Sequence, residues 1–197
     1  MQVLPADAAR IVVKVGGSLY DWPDLGPRLR AWLAALAPAQ ALLVPGGGPA
    51  ADVIRALDRR HALGEEASHW LALQALSLNA RFLQALLPGA VIVDAYEFAR
   101  QDEGRPGALP HTWDVTSDSV AARVAQVNGA RRLVLLKSTD FPEGIDAEEA
   151  GRRGLVDTYF ARAQGGGEVF ALNLRGWRPG SDPLAGATGV WAVTPSD

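Results

Sequence analysis

Two lysines and seventeen arginines supply the basic side chains of this chain, and each lysine stands at the end of a short apolar run. Residues 10–13 lead into Lys14, and residues 131–136 lead into Lys137. Such runs are typical of buried strands in a parallel sheet, and α/β proteins place their chemistry at the carboxyl ends of those strands. Compositional drift could leave two lysines anywhere, but a compact ammonium in two matching contexts favours a site built for phosphate.

Glycine-rich segments follow two of the expected strands: Gly16, Gly17 and Ser18 after the first, and Gly46, Gly47 and Gly48 after the second. Glycines let the backbone approach a ligand and point its amides toward it, and a helix N-terminus adds a favourable dipole for anions. The spacing matches neither a Walker A loop nor the dinucleotide fingerprint. Tight turns would also use glycine, but one glycine would serve a turn, so the triple glycine favours ligand binding.

Two polar segments complete the set of candidate binding residues. The first opens a helix expected at 119–127 and contains Trp113, Asp114, Thr116, Ser117 and Asp118. The second follows Lys137 and contains Ser138, Thr139, Asp140, Phe141 and Gly144. Ser117 or Asp118 would serve as an ordinary N-cap, but Asp118 could also orient both lysines or a Mg²⁺ ion. The second segment suits a nucleotide-binding loop, although any surface loop could have this composition.

Several aromatic and acidic side chains have two interpretations. His111 lies in a Pro-flanked loop, and we give equal weight to a substrate contact and to a purely structural role. Trp113 could stack on a substrate ring or anchor its loop, and Asp114 could pair with a substrate ammonium or cap a turn. The segment from His61 to His69 could suggest a metal site, but its ligand set is incomplete and a solvated helix explains it better.

Strand and helix patterns alternate along the chain. We predict strands at 11–15, 41–44, 91–93, 133–136, 169–172 and 190–193, and helices at 25–36, 50–60, 65–87, 119–127 and 155–163. Residues 103–112 and 140–154 are expected to be loops, the second with one short turn. The alternation predicts a three-layer α/β/α sandwich with a mainly parallel central sheet, formed by a single domain over residues 1–197.

Composition excludes several classes of function. The chain has 197 residues, no cysteine and a net charge of −3, so disulfides, thiolate zinc sites and a basic field for nucleic acid are not expected. No apolar run approaches the roughly 20 residues that span a bilayer, and residues 1–7 lack the pattern of a secretory signal. We therefore expect a cytoplasmic protein with a small-molecule substrate and neither nucleic acid nor membrane as partner.

Together these segments resemble the amino acid kinase superfamily, which includes acetylglutamate kinase, aspartokinase and uridylate kinase. The resemblance covers nearly the whole chain: the lysine with its glycine pair, the triple glycine, the Thr116–Asp118 segment, the Lys137–Gly144 segment, and residues 186–188 near the end. It implies the family's fold, ATP and Mg²⁺ as cofactors, and a homo-oligomer. It further implies that Lys14, Asp118 and Lys137 are catalytic.

The resemblance also divides the remaining residues between ATP and acceptor. Gly16, Gly17, Ser18 and residues 138–141 with Gly144 are expected on the ATP side; Gly46, Gly47, Gly48, His111, Trp113, Asp114, Thr116 and Ser117 are expected on the acceptor side. Many family members carry one more lysine late in the chain. The comparable segment, 157–162, has none, so Arg162 or Lys137 would have to supply that charge, or the chain is a weak or inactive member.

Within the superfamily, the short chain and residues 109–119 are most similar to the kinases of methanofuran or methylofuran biosynthesis. That branch phosphorylates (5-(aminomethyl)furan-3-yl)methyl phosphate to the diphosphate. Two alternatives stay open at this point: a non-catalytic protein that binds or stores nucleotides or oxoanions on the same scaffold, and a uridylate kinase-like enzyme.

Overall fold

The computed structural model describes residues 10–190, within which strands and helices alternate. The strands are β1 (Arg10–Val15), β2 (Gln40–Pro45), β3 (Val91–Ile92), β4 (Arg132–Lys137), β5 (Glu168–Asn173) and β6 (Thr188–Gly189). The helices are α1 (Leu25–Ala35), α2 (Gly48–His61), α3 (Glu65–Leu86), α4 (Ala95–Asp102), α5 (Ser117–Val127), α6 (Ala147–Arg152) and α7 (Phe160–Ala163). A short 3-10 helix, Gly17–Leu19, follows β1.

The strands form one sheet in the order β3-β2-β1-β4-β5-β6. All neighbouring strands are parallel except β5 and β6, which are antiparallel. Helices cover both faces, so the predicted α/β/α sandwich with a mainly parallel sheet is confirmed. The central strand β1 lies between β2 and β4. From β1 the chain first adds β2 and β3 on one side and then adds β4, β5 and β6 on the other, so the strand order reverses beside β1. Ligands of open parallel sheets bind at such a place, beyond the carboxyl ends of the strands.

Alternate residues of the central strands face opposite sides of the sheet, and this alternation decides which helix each side chain meets. Val12 of β1 and Leu135 of β4 belong to the buried cluster that α5 covers. Val13 and Leu136 belong to the other cluster, which includes α1. By the same alternation, Lys14 and Lys137 lie on the face that α5 covers.

The prediction of a helix over 155–163 is wrong, because tertiary hydrogen bonds take the backbone groups that such a helix would use. The carbonyl of Leu155 accepts from Nζ of Lys137 at 2.7 Å, and the amide of Tyr159 donates to the carbonyl of Asp114 at 3.2 Å. In a helix these two groups would bond each other. Only Phe160–Ala163 is therefore helical.

Three smaller differences separate the prediction from the structure. The loop expected at 140–154 contains the six-residue helix α6. The helix α4 was not predicted, although Asp94 and Glu97 have capping spacing, and the Asp94 carboxylate does accept a hydrogen bond from the Glu97 amide. The last strand occupies Thr188–Gly189 rather than starting at residue 190, and residues 191–193 of the predicted strand lie outside the described residues. Over 10–190, none of the helices has the length and apolar character needed to cross a membrane.

Candidate active site

Lys14 and Lys137 meet on the carboxylate of Asp118. Nζ of Lys14 lies 2.9 Å from Oδ1 of Asp118, and Nζ of Lys137 lies 3.1 Å from the same oxygen and 3.2 Å from Oδ2. The three side chains, here called the lysine centre, are between 7% and 15% exposed. Two cations on one carboxylate leave a net positive charge in a poorly hydrated place, which is an electrostatic arrangement suited to an anion.

The charges of the lysine centre change its acid–base properties. Burial acts to raise the pKa of Asp118, but the charges and hydrogen bonds of Lys137 and Lys14 outweigh burial and lower that pKa to about 2. Burial lowers the pKa of Lys137 to about 8, with a further contribution from the positive charge of Lys14, while Asp118 opposes the change. Asp118 is therefore ionised at neutral pH, and Lys137 begins to lose its proton at a pH only slightly above neutral.

Asp118 reaches the two lysines because α5 begins beneath them, on the face of the sheet that they share. Asp157, which lies outside α5, fixes this helix start. Its Oδ2 accepts hydrogen bonds from the amides of Thr116 and Ser119 at 3.0 and 2.9 Å and from the Thr116 hydroxyl at 2.8 Å, and its Oδ1 accepts from the Ser119 hydroxyl. The N-cap position itself, Thr116, makes no side-chain cap bond. The expectation that Ser117 or Asp118 is the N-cap is therefore wrong.

The two glycine loops touch each other through their backbones. A Cβ atom on Gly17 would lie 2.2 Å from the amide nitrogen of Gly48, and Gly48 itself has a φ of +51°. No other residue fits this approach without displacing backbone. Ser18 continues the contact toward β4, since its hydroxyl lies 2.9 Å from the hydroxyl of Ser138. The loops after β1, β2 and β4 thus form one connected rim around the lysine centre.

The loop amides fall into two groups. The amide of Gly16 donates to the Leu136 carbonyl at 2.9 Å, and the amide of Gly46 donates to the Val15 carbonyl at 2.8 Å, so neither is free for phosphate. Gly16 lines the cavity, but its amide is already engaged with β4, and Gly46 positions its own loop. Within residues 10–190, the amides of Gly17, Gly47 and Gly48 donate to no protein acceptor, and all three glycines line the cavity described next.

A cavity of about 340 Å³ opens over the lysine centre, within the size range of small-ligand sites. One end, here called the β4 end, follows strand β4 and is lined by Ser138, Thr139, Asp140, Phe141, Gly154 and Leu155. The opposite end, here called the α2 end, is lined by Ala51, Arg55, His69, Ala72, Leu73, Leu76 and Trp113. Thr116 and Ser117 line the cavity close to the lysine centre.

Four of the residues expected to bind ligands do not line this cavity. Gly46 lies behind its loop, where its carbonyl accepts from Asn79. Gly144 forms a turn with a φ of +72°. Asp114 accepts a hydrogen bond from the Thr158 hydroxyl at 2.9 Å. His111 lies between two carboxylates: its Nδ1 is 2.6 Å from Oε2 of Glu66, and its Nε2 is 3.1 Å from Oε2 of Glu103. Their predicted roles as ligand contacts therefore receive no support from the lining of the cavity.

Arg55, His69 and Asp157 were not predicted as site residues. Arg55 lies on the face of α2 that begins at Gly48, seven residues earlier, and this helical spacing was a usable signal. His69 has the spacing that places it on one helix face with Leu73 and Leu76, and all three are buried, but its position at the cavity depends on α2 and the 113–118 loop. The role of Asp157 depends on a turn that the sequence pattern did not show.

The donors in the cavity fit Mg²⁺ only if the ion arrives on a polyphosphate. Within residues 10–190 there is no group of three or more histidine, cysteine or carboxylate side chains that could hold a metal. Asp118 is bound to both lysines, which leaves Asp140 as the carboxylate at the β4 end, where it accepts from the Asn173 amide group at 2.9 Å. Mg²⁺ commonly binds with one or two carboxylates together with substrate phosphates.

No protein-family model matches the chain. A curated protein of Methanocaldococcus jannaschii, named (5-(aminomethyl)furan-3-yl)methyl phosphate kinase, is 25% identical over 152 residues, which are 68% of this chain and 70% of that protein.

Three solved structures with a similar fold are named as UMP or uridylate kinases. UMP kinase from Ureaplasma parvum aligns with a TM-score of 0.61 and 16% identity, covering 93% of this chain and 99% of that one. Uridylate kinase from Archaeoglobus fulgidus aligns with a TM-score of 0.59 and 16% identity, covering 83% and 90%. UMP kinase from Bacillus anthracis aligns with a TM-score of 0.61 and 11% identity, covering 94% and 97%. At these identities the likeness establishes the fold.

Proposed function

Since this chain has the fold of the amino acid kinase family, we propose that it is a phosphotransferase, which moves the γ-phosphoryl group of ATP to a small phosphorylated acceptor. The observation that carries the proposal is the meeting of Lys14 and Lys137 on Asp118 beneath the glycine amides. Phosphoryl transfer needs positioning and charge neutralisation more than covalent help from the protein. The lysine centre supplies both in a place with little water.

Each group of residues has a distinct task in this proposal. An oxygen of the acceptor phosphate forms a bond to the γ-phosphorus as the bond to the β–γ bridging oxygen breaks, and ADP leaves. Lys14 neutralises the phosphoryl group in transit, Lys137 neutralises the nucleotide phosphates, and Asp118 holds both ammonium groups in place. The amides of Gly17, Gly47 and Gly48 position the phosphates in line. A phosphate acceptor is already ionised at neutral pH, so no general base is required.

ATP is assigned to the β4 end of the cavity, and the acceptor to the α2 end. Ser138 and Thr139 offer hydroxyls to the nucleotide, and Phe141 offers a buried apolar surface beside them. Mg²⁺ would supply further charge neutralisation on the nucleotide phosphates, with Asp140 as its carboxylate. The late-chain charge comes from Lys137 rather than Arg162, whose guanidinium lies 5.9 Å from the ring centre of Tyr159 and does not line the cavity.

The acceptor we propose first is (5-(aminomethyl)furan-3-yl)methyl phosphate, which would become the diphosphate. The name of the curated relative supports this choice. The α2 end also supports it, because Ala72, Leu73 and Leu76 form an apolar wall that suits a small flat ring. UMP is the second acceptor to test, since the structural neighbours are UMP kinases.

The experiment is to measure ADP release by the purified protein with ATP and Mg²⁺. The acceptors are the furan phosphate, UMP and a no-acceptor control. Release of ADP with the furan phosphate, at several times the rate with UMP, supports the proposal, and mass spectrometry of the diphosphate identifies the product. No ADP release with any acceptor, together with tight binding of ATP or of an oxoanion, would instead support a binding or storage protein.

A further inference from the structure

Among residues 10–190, His69 is the polar side chain lining the α2 end that has no hydrogen-bond partner. Its residue is only 7% exposed, yet its imidazole lines the cavity. Its contacts in the part of the chain that the structure describes are ring contacts: Trp70 lies edge-on with ring centres 5.6 Å apart, and His111 stacks with centres 4.6 Å apart. No protein group hydrogen-bonds the imidazole among these residues. The imidazole nitrogens are not among the fully buried atoms that lack a partner, so they are open to the cavity, where a ligand or water can complete their hydrogen bonds.

The imidazole is neutral under ordinary conditions. Burial, and then the positive charge of His111, lower the pKa of His69 to about 4. A neutral imidazole has one N–H donor and one nitrogen lone pair that can accept a hydrogen bond. His69 can therefore accept from a cationic donor, with no charge repulsion between the two.

Four carboxylates lie around the α2 end, although none of them lines the cavity. Asp52 pairs with Arg55 at 2.9 Å, and Asp58 accepts from the Trp113 indole at 2.8 Å. Behind His69, His111 is held by Glu66 and Glu103. Two cations face these carboxylates: His111, which stacks on His69, and Arg55, which already pairs with Asp52 and lies 5.3 Å from the ring centre of Trp113. Four carboxylates against two cations leave these surroundings negative, which favours a positive charge over a second anion at this end of the cavity.

We propose that the α2 end recognises the amino-bearing end of the acceptor, with the His69 imidazole accepting a hydrogen bond from its primary ammonium group. This inference rests on the proposed function, which places the acceptor phosphate at the lysine centre. The acceptor class is an aminoalkyl-substituted, flat ring with a phosphomonoester at its other end. Leu73 and Leu76 contact the ring between the two polar ends.

The test uses three acceptors that differ at one substituent. They are the aminomethyl furan phosphate and its analogues with methyl or hydroxymethyl in place of aminomethyl. For the wild-type protein, we expect kcat/KM to be at least tenfold higher for the amine than for either analogue, mainly through KM. A hydroxymethyl acceptor as good as the amine, or a methyl acceptor as good as both, would overturn the proposal.

Substitutions at His69 link that preference to the imidazole. His69→Leu should lower kcat/KM tenfold or more for the amine and leave the methyl analogue within twofold. His69→Gln, which keeps an acceptor oxygen, should retain part of the preference. Leu73→Val is the control for packing of the same wall and should affect all three acceptors alike. Equal losses for amine and methyl acceptors in His69→Leu would show that His69 only fills space.

Binding measurements separate this inference from the proposed function. If no acceptor gives ADP, the kinase assignment fails, and calorimetry with the same three compounds then decides the role of His69. Tighter binding of the amine than of the methyl analogue by the wild-type protein, lost in His69→Leu, would support ammonium recognition without turnover. Equal binding of the two compounds, or no binding of either, would refute it.

Discussion

Lys14 and Lys137 approach the same carboxylate oxygen, Oδ1 of Asp118, at 2.9 and 3.1 Å. They come from adjacent parallel strands, and both point to the face that α5 covers. The two ammonium groups repel each other, and the carboxylate of Asp118 between them offsets that repulsion. Because two cations share one carboxylate, the lysine centre keeps a net positive charge, and a polyphosphate that enters the cavity would neutralise it.

Lys14→Ala should reduce turnover at least a hundredfold and leave the protein folded. The loss corresponds to about 3 kcal/mol of transition-state stabilisation, comparable with removal of one donor from an oxyanion hole. Folding should survive because Asp118 keeps Lys137 as its partner. Steady-state ADP release and a thermal melt measure the two properties. Arg152→Ala, which removes an exposed cation paired with Glu149 on α6, is the control and should change neither. Near-native turnover in Lys14→Ala would refute the assignment.

Nucleotide binding should take up a proton just above neutral pH. The pKa of Lys137 is lowered to about 8 in the free protein, chiefly by burial. Phosphates beside Nζ raise it again, so the bound state holds a proton that the free state has lost. The association constant for ATP should therefore fall as the pH rises above about 8, by up to tenfold per pH unit. Calorimetric titrations with a non-hydrolysable ATP analogue at pH 8.5, in two buffers of unequal protonation enthalpy, measure the uptake.

Two variants test the source of that proton. Lys137→Arg keeps the charge at every accessible pH, because arginine titrates far above 10, and should remove the pH dependence while retaining part of the affinity. Lys137→Met should bind the analogue weakly with no uptake. Unchanged uptake in either variant would assign the proton to another group.

The fold and the family resemblance were predictable because they depend on local patterns. The apolar runs that precede Lys14 and Lys137 are strands, and the glycine-rich segments directly follow strands β1 and β2, as predicted. Alternation along β1 and β4 even places both lysines on one face. These features repeat at short spacing, so the sequence carries them without knowledge of the tertiary structure.

The remaining parts of the site depend on contacts between distant segments. Residues 155–163 have helical spacing, but the bonds of Leu155 to Lys137 and of Tyr159 to Asp114 prevent a helix there. Similarly, His111 lies in a loop that could have reached the cavity, but Glu66 and Glu103 hold it outside. Burial lowers the pKa of His111, but these two carboxylates outweigh burial and raise it above its ordinary value. Neither outcome follows from spacing within one segment.

Asp157→Asn should destabilise the protein and disturb the lysine centre. The carboxylate accepts from two amides and two hydroxyls at the start of α5, and an amide nitrogen in its place would face one of those donors. We expect a loss of about 1–3 kcal/mol in the free energy of unfolding, measured by urea denaturation. Asp146→Asn is the matched control, because Asp146 caps α6 through one bond to the Glu149 amide, and asparagine caps a helix equally well. Equal effects of the two substitutions would contradict the special role of Asp157.

Gly17→Ala should be strongly unfavourable, since its Cβ would meet the backbone nitrogen of Gly48 at 2.2 Å. One of the two glycine loops must then move, and we expect a loss of about 2 kcal/mol or more in stability together with weaker phosphate binding. Gly166→Ala is the control, because no atom lies within 4 Å of its Cβ position. It should be neutral or slightly stabilising, through a smaller entropy of the unfolded chain. A Gly17→Ala protein as stable as Gly166→Ala would show that the loops are not in contact.

Arg123→Met should be among the most damaging substitutions outside the cavity. The guanidinium donates to both carboxylate oxygens of Asp102 at 2.7 and 2.9 Å and to the Pro106 carbonyl at 2.9 Å. The two side chains are 10% and 5% exposed, so loss of one partner leaves a buried charge and should cost about 3–5 kcal/mol in the free energy of unfolding. The double variant Asp102→Leu with Arg123→Met removes both charges and should recover part of that loss. Urea denaturation of the three variants measures the coupling, and strictly additive effects of the two substitutions would show that the pair contributes no interaction of its own.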